Sequence, residues 1–185
     1  MKAELKTERL YLREMTLDDA QALFCIWSDP DVTKFMNVEA FKTEAQAIDM
    51  IKLLTSLSAE KKALRFTMIE TGTNTVIGSC GYNEIDWEVG SAEIGYELDQ
   101  SYWGKGYGTE AITALIHYAF DHLQLKRMVA KVEPANVGSI KILEKLHFRD
   151  EGEVIENSKG KTTKLTVYVK RTSKEEGAVQ KVSRN

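Results

Sequence analysis

The feature that most constrains this chain is a run of glycines between a predicted strand and a predicted helix. Gly104, Gly106 and Gly108 alternate with other residues just before an apolar, helix-periodic run over residues 111–123. Because glycine has no Cβ atom, the main chain of such a loop can approach a ligand closely. The free N–H groups and the positive dipole end of the following helix face the same loop. The pattern therefore predicts a binding site for a phosphate or pyrophosphate.

Two widespread phosphate-binding loops match this segment poorly. A P-loop ends in Gly-Lys followed by Ser or Thr, whereas Thr109 and Glu110 follow Gly108 here. The dinucleotide-binding fingerprint spaces its glycines as GxGxxG and usually stands in the first βα unit, but this loop lies past the middle of the chain. Both the spacing and the position therefore favour a different phosphate-binding loop.

A third kind of loop fits the segment better. Residues 102–111 read Tyr-Trp-Gly-Lys-Gly-Tyr-Gly-Thr-Glu-Ala. They resemble the pyrophosphate loop of the GNAT superfamily of acyl-coenzyme A-dependent N-acetyltransferases, whose pattern is Gln/Arg-x-x-Gly-x-Gly/Ala. Gly106 and Gly108 match its two essential glycines, and Trp103 replaces the usual Gln or Arg. Trp is ordinary there in the branch that contains the ribosomal-protein N-terminal acetyltransferases.

Other segments resemble the same branch and occur in the family order. Residues 7–13 near the start of the chain, residues 94–96 before the loop and residues 136–148 after it all match. The resemblance therefore covers roughly residues 7–170. Three ordered matches are much stronger evidence than one glycine-rich loop.

The resemblance implies an α/β fold of the α+β type: a single acyl-CoA N-acyltransferase domain with a seven-stranded mixed sheet and about four helices. The sheet would be splayed between strands 4 and 5, and acetyl-CoA would enter that gap as co-substrate. Its pantetheine amides would pair with the fourth strand, and its pyrophosphate would lie on the loop amides. The implied cofactor-binding residues are Leu98, Trp103, Gly104, Lys105, Gly106, Tyr107, Gly108, Thr109, Asn136 and Ser139.

Composition places few further demands on the fold. The chain has 185 residues, 43% of them hydrophobic, which suffices for one globular domain with a sizeable core. The formal charge of −3 gives no reason to expect nucleic-acid binding. Cys25 and Cys80 read as reduced core residues, and no CxxC or HExxH spacing indicates a metal site. Without a signal-like segment or a long apolar run, we expect a cytoplasmic protein that does not bind a membrane.

Periodicity divides the chain into alternating elements. Strands are predicted at about residues 10–15, 63–70, 75–82, 92–98 and 128–132, with a closing hairpin over residues 148–170. Helices are predicted after Thr16, after a Thr43–Gln46 capping box, over residues 111–123 and after an Asn136 N-cap. His147 is expected in a left-handed conformation at the end of the last helix. The N-acetyltransferase domain would span residues 1–171, followed by a polar, frayed tail at 172–185.

Acyl transfer to an amine requires a base, backbone donors for the oxyanion and a proton donor for the leaving thiolate. Glu93 is the first candidate base, because it lies on the splayed strand near the expected acetyl group. Glu156 is the second, because the resembling branch often has an acidic residue there; a solvated surface charge is the alternative for each. The tyrosine donor of much of the superfamily falls at Leu143, so Ser139 becomes the candidate donor. A base acting through water stays open.

Three functions remain in view from the sequence. The first is N-acetylation of a primary amine, most of all a protein N-terminus, by direct attack in a ternary complex with acetyl-CoA. The second is acetylation of a small molecule such as an antibiotic or polyamine. The third, suggested by the missing tyrosine, is a non-catalytic coenzyme A-binding sensor or partner protein. The acceptor, the acyl chain preference and the oligomeric state, including a homodimer, are left open.

Overall fold

The structure, a computed structural model, describes residues 3–182, with side chains through residue 179. Within this range it has eight strands: β1 (Glu4–Lys6), β2 (Leu10–Glu14), β3 (Leu64–Glu70), β4 (Thr75–Asp86), β5 (Ser91–Leu98), β6 (Arg127–Val132), β7 (Arg149–Ser158) and β8 (Lys161–Arg171). It also has six α-helices: α1 (Ala20–Trp27), α2 (Pro30–Thr33), α3 (Glu44–Ala59), α4 (Tyr107–His117), α5 (Val137–Lys145) and α6 (Ser173–Val182). A π-helical turn, Tyr118–His122, extends α4.

All eight strands form one mixed sheet in the order β1-β2-β3-β4-β5-β6-β8-β7. β2 to β5 form the predicted antiparallel meander. The chain then crosses through α4 and returns as β6, parallel to β5, as predicted. The β7–β8 hairpin closes the sheet, with β8 paired to β6.

The element count differs from the prediction in three places. A short β1 pairs with β2, so the sheet has eight strands in the described residues rather than seven. The Pro30 segment, predicted only to break a helix, starts the one-turn α2, because proline suits the first helical position and the Asp29 side chain accepts a hydrogen bond from the Asp31 amide. The frayed tail is also wrong for Ser173–Val182, which forms α6 with Glu175 and Glu176 in its first turn.

Local signals place the start of α3 and the ends of α5 correctly, whereas α4 begins at Tyr107, four residues before the predicted run over residues 111–123, with Gly106 as its N-cap. Thr43 and Gln46 form the predicted capping box at the start of α3. The Asn136 side chain caps α5 by accepting from the Ser139 amide at 3.2 Å. His147 has φ 62°, the left-handed conformation predicted for the residue after that helix. Cys25 and Cys80 are both free thiols, as predicted. Cys80 is buried in the core, but the prediction of a core position is wrong for Cys25, which is exposed on α1.

The two faces of the sheet carry separate apolar cores. On one face α4 and α5 pack over the β5 residues Ala92, Ile94 and Leu98. On the other face α1 and α3 pack around Trp27 and Ile51. The period of two in β5 therefore sends its alternate residues to opposite sides, as the sequence pattern predicted.

The strands β5 and β6 part after a short paired stretch. Their pairing runs only from Ser91↔Arg127 to Glu93↔Val129, although β5 stays paired with β4 to Leu98 and β6 with β8 to Val132. A β-bulge in β4 between Tyr82 and Glu84 lies opposite this point. Since a bulge bends its strand and increases the local twist, it accompanies the separation. The predicted splay is confirmed.

Candidate active site

The three glycines of the loop are needed for two different geometric reasons. Gly104 and Gly106 have φ values of 68° and 86°, in the left-handed region that favours glycine. Gly108 lies inside the first turn of α4, where a Cβ atom would come within 3.0 Å of the Ile142 side chain and 3.1 Å of the Tyr96 ring. The loop needs the first two glycines for its turn and the third for close packing.

The loop is braced by the amino-terminal segment. Arg9 donates to the Lys105 carbonyl at 2.9 Å, and its guanidinium lies 4.1 Å from the centroid of the Tyr107 ring. Glu110 accepts from the Thr7 hydroxyl at 2.6 Å and from Arg9 through two hydrogen bonds. Burial opposes the charge of Glu110, yet these hydrogen bonds hold its pKa below the ordinary value. No local sequence pattern indicates this contact, because Arg9 and Glu110 are 101 residues apart.

The loop presents main-chain donors to the outside. In the described part of the chain, the N–H groups of residues 104–109 have no hydrogen-bond acceptor from the protein. The Trp103 ring instead donates to the Leu98 carbonyl at 2.8 Å, which holds the loop against the end of β5. Several unpaired amides at a helix N-terminus form a surface suited to a pyrophosphate. The residues present therefore fit the group that the sequence predicts here.

A cavity of about 440 Å³ passes through the gap between β5 and β6. Tyr96, Ser139 and Leu143 line it from the side of α4 and α5, and Glu93 and Glu97 line it from the side of α1 and α3. The opening therefore connects the two faces of the sheet. Two reactants could meet in it from opposite sides.

Tyr96 is the site residue that the sequence missed most clearly. Its phenol oxygen lies 3.2 Å from the Ser139 hydroxyl, the predicted proton donor. Burial raises the pKa of Tyr96, more than its hydrogen bond with Ser139 lowers it, so the phenol stays protonated at neutral pH. No local pattern indicates this contact, because Tyr96 on β5 and Ser139 on α5 are 43 residues apart in the sequence.

Glu93 and Glu156, predicted separately as bases, meet on one lysine. The Lys131 ammonium lies 2.9 Å from Glu93 Oε2 and 2.6 Å from Glu156 Oε1. Burial opposes the charge of Lys131, but the hydrogen bonds and charges of the two carboxylates outweigh it and raise its pKa. We call these three residues the Lys131 bridge. The only indication of this bridge in the sequence is that Lys131 is a polar residue between apolar residues of β6.

Glu97 shares the Glu93 face of β5 but has a different environment. It is buried and accepts from the Trp27 ring at 2.9 Å, from Arg65 at 2.8 Å and from the Ser79 hydroxyl. Arg65 also donates to the Gly95 carbonyl at 3.0 Å. With its oxygens paired in this way, Glu97 ties α1 to the sheet.

Between residues 3 and 182, no group of three or more His, Cys, Asp or Glu side chains is arranged to hold a metal ion. No helix in that range is both long and apolar enough to cross a membrane. The candidate functional features of the described residues are therefore the parted strands, the glycine loop and the Lys131 bridge.

Residues 9–149 match the family model described as the acetyltransferase (GNAT) domain. The chain belongs to the GNAT acetyltransferase family. This GNAT protein is 50% identical over 165 residues to "Uncharacterized N-acetyltransferase p20" of Bacillus licheniformis, covering 89% of this chain and 93% of that one. The family resemblance inferred from the motifs is confirmed.

Solved structures of GNAT proteins share the whole fold. The microcin C7 self-immunity acetyltransferase MccE, solved in complex with acetyl-CoA and AMP, has a TM-score of 0.83 at 25% identity, covering 90% of this chain and 94% of that one. A putative ribosomal-protein-serine acetyltransferase from Vibrio cholerae has a TM-score of 0.80 at 26% identity, covering 92% and 98% of the two chains. Both similarities extend over at least 90% of this chain.

In this GNAT chain four of the predicted site residues line the cavity, and the others lie in the loop or at the end of β5. Leu98 ends β5, residues 103–109 form the loop, and Asn136 and Ser139 start α5. Of these, Asn136 and Ser139 line the cavity together with Glu93 and Glu156. Their contacts with acetyl-CoA and with an acceptor stay predictions.

Proposed function

We propose that this GNAT protein transfers an acetyl group from acetyl-CoA to a primary amine, by direct attack in a ternary complex. The observation that carries the proposal is the cavity through the parted β5–β6 pair, with unpaired loop amides beside it and paired carboxylates within it. We assign the activity to one domain, residues 1–171, and place it in the cytoplasm.

On the donor side, the amides of residues 104–109 would hold the pyrophosphate, and the free edge of β5 near Leu98 would pair with the pantetheine. Bound acetyl-CoA supplies a thioester carbonyl at the gap. The MccE structure, which contains acetyl-CoA, supports this assignment by its shared fold. Lys105 adds positive charge next to the loop, which favours an anionic ligand.

On the acceptor side, a neutral amine attacks the thioester carbonyl, so that a C–N bond forms and the C–S bond breaks. The amine proton passes to a carboxylate, with Glu93 the first choice and Glu156 the second, or to a water held by them. The leaving thiolate takes a proton from the Ser139 hydroxyl. Tyr96, hydrogen-bonded to that hydroxyl, would return a proton to Ser139.

The acceptor we favour is a protein N-terminus. The similarity to the putative ribosomal-protein-serine acetyltransferase supports it. The similarity to the self-immunity acetyltransferase MccE supports a small-molecule amine as the second candidate. A coenzyme A-binding sensor is the third, because Leu143 replaces the usual tyrosine, although the Tyr96–Ser139 pair offers another donor.

The proposal is tested with purified protein, acetyl-CoA and a panel of peptides, polyamines and aminoglycosides. Release of free thiol and the mass of each product measure transfer, and calorimetry measures acetyl-CoA binding separately. We expect thiol release that requires an amine and a product heavier by one acetyl group. Tight acetyl-CoA binding without transfer to any amine would instead support the sensor.

A further inference from the structure

The cavity carries more carboxylates than cations. Among the described residues that line it, the carboxylates are Glu93, Glu97, Glu133 and Glu156, and the cations are Arg65 and Lys131. Arg65 and Glu97 form a buried ion pair of 2.8 Å and neutralise each other. Among the described residues, the remaining lining charges are three carboxylates and the ammonium of Lys131, which contacts Glu93 and Glu156. This excess of negative charge favours a cationic ligand and disfavours an acidic one.

The opposite wall of the cavity is apolar. It is formed by Phe35, Met36, Phe41, Met50 and Leu54, from α3 and the segment before it. We call these residues the apolar wall. All five are half-buried, so part of each side chain faces the cavity. A ligand that covers this surface gains the free energy of apolar burial.

The Lys131 bridge holds an amine where the acceptor amine is expected. Glu93 and Lys131 come from the two strands that part, and Glu156 comes from β7. The Lys131 side chain is 27% exposed and ends in freely rotating single bonds, so it can leave this position while the strand stays in place. Its ammonium therefore resembles a bound acceptor that belongs to the protein itself.

We propose that the acceptor is a primary amine on an apolar body, and that its ammonium takes the position of Lys131 Nζ between Glu93 and Glu156, where it loses one proton to solvent water before the neutral amine attacks. This inference rests on the proposed function and names the substrate class of the same site. Exchange of one ammonium for another changes the electrostatic energy little. Affinity must then come from the remainder of the acceptor, which packs against the apolar wall. Lys131 competes with the acceptor ammonium for Glu93 and Glu156. Its presence therefore raises the KM of the acceptor.

The test compares acceptors that differ only next to the amine. Peptide amides that begin with Leu or Met are compared with those that begin with Ser or Asp, and spermidine serves as the polycation. For the wild-type protein, we expect a KM about tenfold lower for the apolar peptides, as burial of one aliphatic side chain implies. The Asp peptide should be the poorest acceptor, because its carboxylate meets the excess negative charge.

Lys131→Met keeps the length of the side chain and removes the competing charge. The KM of every amine acceptor should fall about fivefold, the value of one partly exposed ion pair, with the effect concentrated in KM rather than in kcat. Met50→Gln should raise the KM of the Leu and Met peptides only. Lys164→Met removes a surface ion pair with Glu153 on the same sheet and should change neither parameter.

Two results would overturn this inference and leave the proposed function intact. One is turnover that prefers Ser peptides or spermidine over the apolar peptides. The other is a KM that stays constant or rises in both Lys131→Met and Lys131→Gln, with folding checked by circular dichroism. Absence of transfer to every amine, with acetyl-CoA still bound, would overturn the proposed function and this inference with it.

Discussion

Arg9 and Glu110 lie 101 residues apart in the sequence and are joined by two hydrogen bonds. The Arg9 amide donates to Glu110 Oε1 at 2.8 Å, and its guanidinium donates to Oε2 at 2.7 Å. The same guanidinium reaches the Lys105 carbonyl in the glycine loop. One carboxylate at the start of α4 thus connects the amino-terminal segment to the predicted pyrophosphate site.

Glu110→Ala should loosen this connection. It leaves the Arg9 amide and the Thr7 hydroxyl without their acceptor, so we expect the free energy of unfolding to fall by about 1–3 kcal/mol. The KM for acetyl-CoA should rise severalfold while kcat changes less, because the loop loses its brace. Urea unfolding and initial rates measure the two effects. Glu144→Ala, at an exposed position on α5, is the control; an equal loss in both variants would contradict the assignment.

Glu93→Gln should show which carboxylate of the Lys131 bridge, Glu93 or Glu156, acts as the base. If Glu93 takes the amine proton, kcat falls by about 10²–10⁴, the usual contribution of a general base. Glu156→Gln should lower kcat much less, because Glu93 is retained as the base. Rates measured as a function of pH provide the readout. Equal effects of the two substitutions would point to a water held by both carboxylates.

Ser139→Ala should lower kcat more than it weakens acetyl-CoA binding, because the hydroxyl gives up its proton only when the thiolate leaves. We expect a loss of about tenfold or more, within the range of general-acid catalysis. Tyr96→Phe should cause a smaller loss, and the double variant should lose no more than the sum of the two free energies. Calorimetry with acetyl-CoA supplies the binding control. Unchanged kcat in both single variants would exclude the pair as donor.

Gly108→Ala should disturb the loop through packing rather than through backbone strain. The new Cβ atom would lie 3.0 Å from Ile142 Cδ1 and 3.1 Å from Tyr96 Cε2, so one of these side chains must move. We expect a loss of about 1–3 kcal/mol in the free energy of unfolding and a lower kcat. Gly138→Ala near the start of α5 is the control, because its Cβ atom meets nothing within 4 Å. A fully active and stable Gly108→Ala protein would contradict this packing.

Asp19 should make the stability of the fold depend on acidic pH. It is buried, which opposes its charge, but hydrogen bonds from Arg13, the Thr16 amide and Thr67 outweigh burial and lower its pKa. Because the folded pKa is the lower one, the unfolded chain binds the proton first as pH falls. The contribution is therefore complete above about 3.9, the unfolded value, and is lost as pH falls through the folded pKa.

Asp19→Asn tests this dependence. At pH 7 it should lower the free energy of unfolding by about 2 kcal/mol, as expected for hydrogen bonds to a charged group. The difference from the wild type should shrink as pH falls below 4. Urea unfolding at several pH values measures it, with Asp18→Asn at the exposed neighbouring position as the control. If the difference in unfolding free energy between the two proteins does not change with pH, the pKa of Asp19 is not lowered in the folded state.

Much of the fold could be predicted from residues that are close in sequence. Alternation placed β2 to β6, the Thr43–Gln46 pair placed the start of α3, and the conformation of His147 followed from its place after a helix. These features depend on φ, ψ and hydrogen bonds within a few residues, which local sequence specifies. The predictions of seven strands, about four helices and a frayed tail were wrong. The segments that form β1, α2 and α6 are short or polar and therefore have weak periodicity.

The glycine loop, the family and four of the residues that line the cavity (Glu93, Asn136, Ser139 and Glu156) also followed from the sequence by itself. Only the tertiary structure decided how those residues meet. Lys131 joins Glu93 to Glu156 because β6 lies between β5 and the β7–β8 hairpin, and Tyr96 reaches Ser139 because the two strands part beside α5. Such contacts depend on sheet register and on packing between distant segments, and no local period records either of them.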